Sequence, residues 1–444
     1  MKLITYLLSM MFIFGSTFTA TWAQEPNTLT VDTTLSHGEI SPYVYGANLG
    51  LNSLIPLSLM DEAQALNIQY ARFGGGETDR QNLRASIIDM FIYQTRSIGA
   101  EPAMSVRLLG GTPEHAADIV RYTNIEKDYD IQYWSIGNEP NLFTALMNID
   151  EYTADDLNRE WRTIAEAMLA VDPDIQFVGP DITQYIVLNP DPNNIEYLNP
   201  SDALDDLGTD WLQSFLQANG DLLDYVAIHR YPFPLDNISS VTVEELRNNP
   251  SEWDMIIPNL REVIRNAAGR DIPIAVTEVN SNSANSIGGV ASLDSHFNAI
   301  WLADVLGHLI RNQVDIVAYW DLQGSSNRGW GIIGSYNVRP TYYTYMMYTH
   351  FGTELLTADS TAEYVSIYAA RRDDGALTLM IVNLNDDTVE TNLDLGEFAI
   401  GGPAEIWRFD QDHQAEQLDS QSITAQSTLS LPGQSLTVYV IPPA

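Results

Sequence analysis

The feature that most constrains the fold is a repeated alternation of short apolar runs with amphipathic helical segments. It occurs eight times between residues 43 and 348, and such an alternation predicts a parallel barrel. The short runs are rich in Val, Ile and Ala, as expected for strands buried on both faces. A doubly wound open sheet would alternate too, but it would not place polar, aromatic and acidic residues at nearly every strand end. The sequence therefore predicts an α/β fold built on a (β/α)8 TIM barrel.

The predicted barrel is followed by a second domain. The eight predicted strands are Ser41–Asn48, Ile68–Phe73, Pro102–Leu108, Ile131–Ile136, Ile175–Pro180, Tyr225–His229, Ile272–Glu278 and Asp315–Trp320. A long insertion, 181–205, follows strand 5, and insertions of this length are often lids or binding loops. After Tyr348 alternating residues and turns predict a C-terminal antiparallel β-sandwich. The predicted domains are a barrel over 43–348 and a sandwich over 349–444, with segment 24–42 as a candidate extra strand of the sandwich.

The first 23 residues are typical of a secretory signal peptide. Lys2 gives the positive start, a mostly apolar run follows, and Thr21-Trp22-Ala23 fits a small-x-small cleavage site. The chain contains no cysteine, which excludes disulfides, thiolate nucleophiles and cysteine metal sites. Export without cysteine is typical of a secreted or periplasmic bacterial protein.

The charge balance limits the expected partners. The chain has 59 acidic and 21 basic residues, a formal net charge of -38, and Lys127 is the only lysine after residue 23. Such a surface repels nucleic acid and anionic membranes, and it disfavours long polyanionic substrates. We expect no nucleic-acid partner and, after signal removal, no membrane partner. The oligomeric state is not predicted.

Two glutamates are the best candidates for chemistry. Glu139 ends predicted strand 4, and Pro140 disfavours helical geometry in the residue before it. We therefore expect Glu139 to be extended, at the carboxyl lip where barrel enzymes carry their active sites. Glu278 ends predicted strand 7 in the same way. Two glutamates at one rim are what glycoside cleavage needs, and a retaining enzyme would hold the carboxyl groups about 5–5.5 Å apart. Taken alone, Glu139 also fits a surface turn.

These motifs resemble a known group of enzymes. The Asn-Glu-Pro of strand 4 with the glutamate of strand 7 resembles the clan A retaining glycoside hydrolases. Within that clan, residues 72–79 (Arg-Phe-Gly-Gly-Gly-Glu-Thr-Asp) and 136–141 (Ile-Gly-Asn-Glu-Pro-Asn) are similar to the heparanase and β-glucuronidase family. Residues 40–46 (Ile-Ser-Pro-Tyr-Val-Tyr-Gly) are similar to xyloglucanase- and arabinofuranosidase-type relatives.

The resemblance implies roles for individual residues. Glu139 would be the acid/base and Glu278 the nucleophile. Arg72 and Tyr231 would contact Glu278, and a guanidinium and a phenol would keep that carboxylate charged. Glu139 would instead need a site that preserves its proton. The candidates for substrate binding are Arg72, Tyr231, Asn138 (for the sugar 2-hydroxyl), Trp320 (for stacking under a sugar ring), His229, Asn48, Asn280 and Gln323.

Several of these residues also have non-catalytic interpretations. Arg72 is as well explained by an internal salt bridge, and Trp320 by core packing. His229 has no second histidine at ligand spacing, which favours a structural or substrate-contacting role over metal binding. The Tyr342-Tyr343-x-Tyr345 cluster favours domain-interface packing over a sugar subsite.

The leading hypothesis is a secreted retaining glycoside hydrolase that cleaves β-glycosidic bonds of an oligo- or polysaccharide by double displacement, with no cofactor and no metal. The scarcity of lysine favours a neutral plant or microbial β-glycan, or a β-glucuronide, over a sulfated chain. The alternatives are an α-L-arabinofuranosidase or β-xylosidase of the same clan, a non-catalytic glycan-binding protein, and a metal-dependent hydrolase on the same barrel.

Overall fold

The computed structural model describes residues 27–51, 53–185, 203–233, 241–284, 286–325 and 329–444. The predicted signal peptide and residues 186–202 of the predicted insertion lie outside these ranges. Among the described residues, no helix combines the length and apolar character needed to cross a bilayer. These residues form a closed barrel and a nine-stranded sheet.

The first strand, β1 (Thr28–Glu39), belongs to the sheet, and the next eight strands form the barrel. The barrel strands are β2 Gly46–Leu49, β3 Tyr70–Phe73, β4 Glu101–Val106, β5 Tyr133–Ile136, β6 Gln176–Ile182, β7 Tyr225–Arg230, β8 Ile274–Val279 and β9 Ile316–Tyr319. All neighbours are parallel, and β9 pairs back with β2. The predicted (β/α)8 barrel is thereby confirmed.

Helices connect the barrel strands on the outside. They are α1 Met60–Ala65, α2 Ala85–Ser97, α3 Pro113–Val120, α4 Phe143–Leu146, α5 Ala154–Leu169, α6 Trp211–Asn219, α7 Val243–Asn248, α8 Trp253–Ala268, α9 His296–Arg311 and α10 Pro340–Tyr348. A π-helical turn, Arg121–Glu126, continues α3, and 3-10 turns span Pro42–Val44, Leu57–Leu59, Pro140–Leu142 and Pro250–Glu252. Side-chain caps define several starts. The Thr112 hydroxyl accepts from the backbone N–H of His115, and Thr153 forms a capping box with Asp156.

Two predicted boundaries are wrong for local reasons. Predicted strand 1 began at Ser41, but the Ser41 side chain caps the turn Pro42–Val44, so β2 begins only at Gly46. Predicted strand 5 ended at Pro180, with Asp181 assigned to the insertion. Strand β6 instead continues to Ile182, and its pairing with β7 shifts register between Pro180 and Ile182.

The barrel interior contains two layers of side chains with different chemistry. We call the apolar cluster the lower layer: Tyr70, Ala103, Tyr133, Val178, Ala227, Ala275, Ile316 and Ala318. Successive inward residues of a strand are two apart. The next inward positions toward the carboxyl ends are polar, and we call them the upper layer: Arg72, Ser105, Ser135, His229 and Thr277. The polar layer supports the rim where the candidate glutamates lie.

The remaining strands form the second domain. They are β10 Glu354–Ser360, β11 Val365–Arg371, β12 Leu377–Asn383, β13 Val389–Asp394, β14 Ala404–Phe409, β15 Gln414–Gln421, β16 Thr428–Leu431 and β17 Ser435–Ile441. The order is β15-β14-β17-β12-β11-β10-β1-β13-β16, antiparallel except between β1 and β13. The sheet encloses its own apolar cluster, which includes Leu29, Ile367 and Tyr439. The predicted fold class, a barrel followed by a β-domain, is confirmed.

The predicted tyrosine cluster lies on α10, between the two domains. The Tyr345 hydroxyl donates to the carbonyl of Gly46 in the barrel at 2.8 Å, whereas the Tyr343 hydroxyl donates to Gln414 of the sheet at 2.9 Å. The interpretation as domain-interface packing is confirmed.

Candidate active site

Glu139 follows β5, but its backbone is not extended as predicted. Its φ of 49° and ψ of 54° are left-handed, and its N–H donates to the carbonyl of Asp181 at 3.2 Å. Gly137, with a φ of 83°, and Pro140, which begins a 3-10 turn, bend the chain sharply on either side. A left-handed residue other than glycine is uncommon and costs of order 1–3 kcal/mol, and such residues cluster at functional sites. The Glu139 side chain keeps 19 % of its surface exposed.

Glu278 lies in β8, and both of its carboxylate oxygens accept hydrogen bonds. Oε1 is 3.1 Å from the Arg72 guanidinium, and Oε2 accepts from the Tyr231 hydroxyl at 2.6 Å. The glutamate is 4 % exposed. The predicted contacts of Arg72 and Tyr231 with this carboxylate are therefore present. Two donors fix its orientation, as an attacking group requires.

The two glutamates converge, and a histidine joins them. One carboxylate oxygen of Glu139 lies within 4.8 Å of one of Glu278. His229 Nδ1 is 3.0 Å from Oε1 of Glu139 and 3.7 Å from Oε2 of Glu278. His229 is fully buried. The ring lies between the two carboxylates, which fits the structural interpretation, and its contact with substrate stays a prediction.

Arg72 of β3 is bonded to residues in or directly after four other barrel strands: β2, β5, β6 and β8. Its Nη1 donates to Asn48 at 3.0 Å and to Glu278, and its Nη2 donates to Asn138 at 3.0 Å and to Asp181 at 3.2 Å. Only 1 % of the side chain is exposed. The internal salt bridge and the predicted contact with Glu278 are both present. Direct contact of Arg72 with substrate stays a prediction.

Asp181 is a site residue that the sequence interpretation missed. It is fully buried, with a φ of 59°. One carboxylate oxygen contacts Arg72, and the other lies 3.5 Å from His229 Nε2 and accepts from the Thr277 hydroxyl. Sequence analysis ended strand 5 at Pro180 and assigned Asp181 to the insertion that follows. The available signal was an acidic residue directly after a predicted strand, as at Glu139 and Glu278.

Asn138 is held from both sides. Its Oδ1 accepts from Arg72 and from the N–H of Gly75 at 3.3 Å, and its N–H donates to Asp79 at 2.8 Å. Asp79 was part of the motif behind the family resemblance, and no role had been predicted for it. Its carboxylate also accepts from the N–H groups of Leu108 and Leu109. Asp79 thus joins the loops after β3, β4 and β5.

Trp320 follows β9 and stays partly exposed. A Cβ on Gly75, whose φ is 103°, would approach the Trp320 ring to 2.5 Å. Only glycine therefore permits this close packing of the Gly74–Gly76 loop on the indole. Complete burial of Trp320 in the core is excluded by its exposure, and a stacking role stays a prediction.

Three further candidates for substrate binding, Asn48, Asn280 and Gln323, form hydrogen bonds within the protein. Asn48 is fully buried, and its amide donates to the carbonyls of Thr277, Ala318 and Tyr319. Asn280, also buried, donates to the carbonyl of Trp320 at 2.7 Å. Both amides bond to backbone carbonyls of the barrel, and their contact with substrate stays a prediction. Gln323 is partly exposed and bonds Leu54 N–H and Gly324 O, so its predicted substrate role stays untested.

The charges of the site depend on one another. Burial acts to lower the pKa of His229, but Glu278, Asp181 and Glu139 raise it to about 9. Burial acts to raise the pKa of Glu139, but the hydrogen bond and charge of His229 hold it below its usual value. Burial keeps the pKa of Glu278 above its usual value although His229 and Arg72 oppose this. These directions favour a proton on His229 rather than on Glu139 in the free site.

Glu139, His229 and Glu278 each offer one donor atom, all within 4.8 Å of one another, and could in principle bind a metal ion. However, the Glu278 oxygens already accept from Arg72 and Tyr231. The guanidinium beside Glu278 supplies fixed positive charge at the place where the metal would bind. The donor set therefore fits a metal poorly.

No family model matches the chain. The chain is similar to heparanase of Bos taurus, with 25 % identity over 283 residues, which is 60 % of this chain and 46 % of the relative. It thus spans about half the length of the curated relative it matches.

Several solved structures share the fold of this chain. A bifunctional glucanase-xylanase from a metagenome library has a TM-score of 0.75 and 19 % identity over 94 % of this chain and 99 % of that one. A Paenibacillus polymyxa xyloglucanase of glycoside hydrolase family 44 has a TM-score of 0.72 and 16 % identity, over 94 % of this chain and 99 % of that one. A Thermotoga maritima α-L-arabinofuranosidase has a TM-score of 0.70 and 16 % identity, over 93 % of this chain and 99 % of that one. The resemblance to clan A glycoside hydrolases, predicted from the motifs, is confirmed.

Proposed function

We propose that this protein is a retaining glycoside hydrolase in which Glu278 is the nucleophile and Glu139 the acid/base. The observation that carries the proposal is that one carboxylate oxygen of Glu139 lies within 4.8 Å of one carboxylate oxygen of Glu278. Retaining enzymes hold the pair about 5–5.5 Å apart, whereas inverting enzymes leave about 6.5–9.5 Å for a water molecule. The similarity to heparanase and the fold shared with glucanases and arabinofuranosidases support the same reaction class.

In the first step, a Glu278 oxygen attacks the anomeric carbon while Glu139 gives a proton to the departing glycosidic oxygen. The C–O bond to the leaving group breaks, and an ester to Glu278 forms. The partial exposure of Glu139 suits contact with the leaving group. The hydrogen bonds from Arg72 and Tyr231 hold Glu278 toward the sugar.

The proton reaches Glu139 from His229. Transfer across the 3.0 Å Nδ1···Oε1 contact converts an imidazolium and a carboxylate into a neutral imidazole and a carboxylic acid. In the second step Glu139 takes a proton from water, whose oxygen attacks the anomeric carbon and releases Glu278. The proton then returns from Glu139 to His229 across the same contact, so the site regains its starting protonation state, and the configuration at the anomeric carbon is retained.

We infer that the substrate is a neutral plant or microbial β-glycan, or a β-glucuronide. The two cations of the upper layer, Arg72 and His229, already face carboxylates, and a surface with a net charge of -38 repels sulfated chains. In this proposal Asn138 donates its amide to the 2-hydroxyl and Trp320 lies under a sugar ring. The proposal includes export, which rests on residues 1–23.

The second candidate is an α-L-arabinofuranosidase or β-xylosidase with the same pair of glutamates. It is favoured by the fold shared with the Thermotoga maritima arabinofuranosidase over 93 % of the chain. A panel of chromogenic β-glucuronide, β-glucoside, β-xyloside and α-arabinofuranoside separates the two. Release of the chromophore also excludes a glycan-binding protein without activity, and full activity in chelator excludes a metal-dependent hydrolase.

Glu278→Ala tests the nucleophile. We expect turnover of the best aryl glycoside to fall by on the order of 10⁴-fold or more. Azide should partly restore it by attacking the anomeric carbon in place of the carboxylate, giving a glycosyl azide of inverted configuration. The matched control is Glu77→Ala, which removes an exposed glutamate after β3 and should leave turnover unchanged. Activity of Glu278→Ala equal to that of the wild type would end the assignment.

A further inference from the structure

Asp181 is a third carboxylate beneath the two glutamates, and the catalytic steps above do not use it. It lies within the barrel, where an isolated ionised carboxylate would be very costly. Two cations face it: the Arg72 guanidinium at 3.2 Å and His229 Nε2 at 3.5 Å. These are the two groups that bind Glu278 and Glu139 on their other sides. The carboxylates and cations therefore form one chain: Glu278, Arg72, Asp181, His229, Glu139.

The backbone is shaped to place Asp181 there. Pairing of β6 with β7 skips Asp181, since Pro180 faces Ala227 and Ile182 faces Ile228. Pairing of β7 with β8 likewise skips Thr277, since Ile228 faces Val276 and His229 faces Glu278. Such bulges redirect side chains and are common beside active sites. The two skipped residues meet, because the Thr277 hydroxyl donates to the Asp181 carboxylate. The Asp181 carbonyl also accepts the Glu139 N–H.

We propose that Asp181 is a positioning residue: it holds Arg72 on Glu278 and His229 on Glu139, and its charge sets the pH window in which the pair works. This inference rests on the proposed hydrolase function. Asp181 reaches no substrate, because it is fully buried. Without Asp181, Arg72 and His229 would each lose one counterion. Neither side chain would then be held in its present position against Glu278 or Glu139.

The direction of the pH effect follows from charge. The ionisable groups that face Asp181 or share its network are Arg72 on β3, His229 on β7, Tyr231 after β7, Glu278 on β8, Glu139 after β5 and Tyr70 in the lower layer. Removing the negative charge of Asp181 lowers the pKa of each of these groups, because their protonated forms lose a favourable neighbour. A carboxylate at this distance shifts a neighbouring pKa by about 1–3 units. In the pH profile of kcat/KM, the acid limb is set by Glu278 and the alkaline limb by the proton shared by His229 and Glu139. Loss of the Asp181 charge moves both limbs to lower pH.

The experiment compares Asp181→Asn with Thr277→Val and Asp181→Glu. The asparagine variant removes the charge with little change of shape. Thr277→Val removes a hydrogen bond to Asp181 but leaves the charge, and Asp181→Glu keeps the charge but displaces it. Two readouts are needed: the pH profile of kcat/KM on the glycoside that the wild type hydrolyses, and the NMR titration of His229, assigned with His229→Gln.

We expect Asp181→Asn to move both limbs to lower pH by about one unit or more, to lower kcat/KM at the optimum at least about tenfold, and to lower the His229 titration. Thr277→Val and Asp181→Glu should lower the rate while leaving the limbs within about 0.3 units. The inference would be overturned if folded Asp181→Asn left both the pH profile of kcat/KM and the His229 titration unchanged. A shift of the limbs in Thr277→Val as large as that in Asp181→Asn would overturn it too. If Asp181→Asn does not fold, a shift of the limbs in Asp181→Glu overturns it. A wild type that hydrolyses no glycoside would instead overturn the proposed function.

Discussion

The two layers inside the barrel are only two residues apart along each strand, yet different forces hold them. In the lower layer, Tyr133 contacts Tyr70 and Tyr225 with ring centroids 5.7 and 5.9 Å apart. In the upper layer, the next inward residues of the same strands include Arg72 and His229, which are paired with carboxylates. The lower layer is stabilised by apolar burial and ring packing, whereas the upper layer depends on each charge having its partner.

This difference assigns separate tasks to the two layers. The lower layer is closely packed and carries no reactive group. Truncating one of its side chains should therefore lower the free energy of unfolding rather than the rate. A buried network of charges offers little net stability over a well-packed apolar replacement, but it fixes two glutamates in different surroundings. Its loss should appear in rate and in pH dependence. The predictions below test this division.

Among the tests that compare the two layers, the largest effect is expected for Glu139→Gln, at the rim, where the Glu139 carboxylate contacts His229 of the upper layer. The substitution removes the proton that the leaving group receives, and general acid catalysis contributes about 10²–10⁴-fold. We expect kcat/KM to fall by about 10³-fold on an aryl glycoside with a poor leaving group, and much less on one that leaves unaided. The free energy of unfolding should change by less than about 1 kcal/mol. Equal losses on the two substrates would contradict the role of Glu139 as the acid.

The converse effect is expected for Tyr133→Ala in the lower layer. Truncation of a buried aromatic residue costs about 3–5 kcal/mol, because it removes apolar contacts and leaves a cavity. We expect that loss in denaturant unfolding, with kcat/KM of the folded protein within about threefold of wild type. Tyr93→Ala is the control, since Tyr93 is 65 % exposed and makes no part of this layer. A loss of activity larger than the loss of stability would mean that the layers are coupled.

The same division explains what the sequence predicted and what it did not. Strand periodicity located the barrel, and the acidic residues at strand ends located Glu139 and Glu278. The contacts of Arg72 and Tyr231 with Glu278 were implied by the family resemblance and not by the pattern alone. The exposure of Asn48 and Asn280 could not be predicted in this way, because it depends on how far each strand rises above its neighbours. Asp181 was missed for a related reason, since it enters the site through a bulge, and a bulge depends on pairing with another strand.

A smaller effect is expected from the pH dependence of stability. The pKa of His229 is raised to about 9 in the folded protein, against about 6.5 for an unperturbed histidine. Its contribution to stability is therefore fully present below about pH 6.5 and is lost as the pH rises through 9. The difference of about 2.5 units corresponds to at most about 3 kcal/mol. Denaturant unfolding between pH 6 and 10 should show this loss, and His229→Gln should remove it.

His350 in the β-domain provides the opposite sign. It stacks on Trp407 at 3.8 Å, and burial with the nearby Arg372 lowers its pKa to about 4. Its contribution is present above about pH 6.5 and is lost as the pH falls through 4. His350→Gln should therefore leave the alkaline loss unchanged and reduce the acid one. An alkaline loss that survives in His229→Gln would show that another group causes it.

The smallest effect separates the surface charge from the buried network. The net charge of -38 is spread over the surface, where self-repulsion opposes the compact state. At about 1 M salt the screening length falls to about 3 Å, so this repulsion is largely removed, but buried pairs are screened much less. We expect the free energy of unfolding to rise by about 1 kcal/mol between about 0.05 and 1 M NaCl. The pH limbs of kcat/KM should stay within about 0.3 units. Choline chloride should act like NaCl, because screening does not depend on the cation. A shift of the limbs with salt as large as that expected for Asp181→Asn would mean that solvent ions reach the upper layer, so that Asp181 could not set its charge alone.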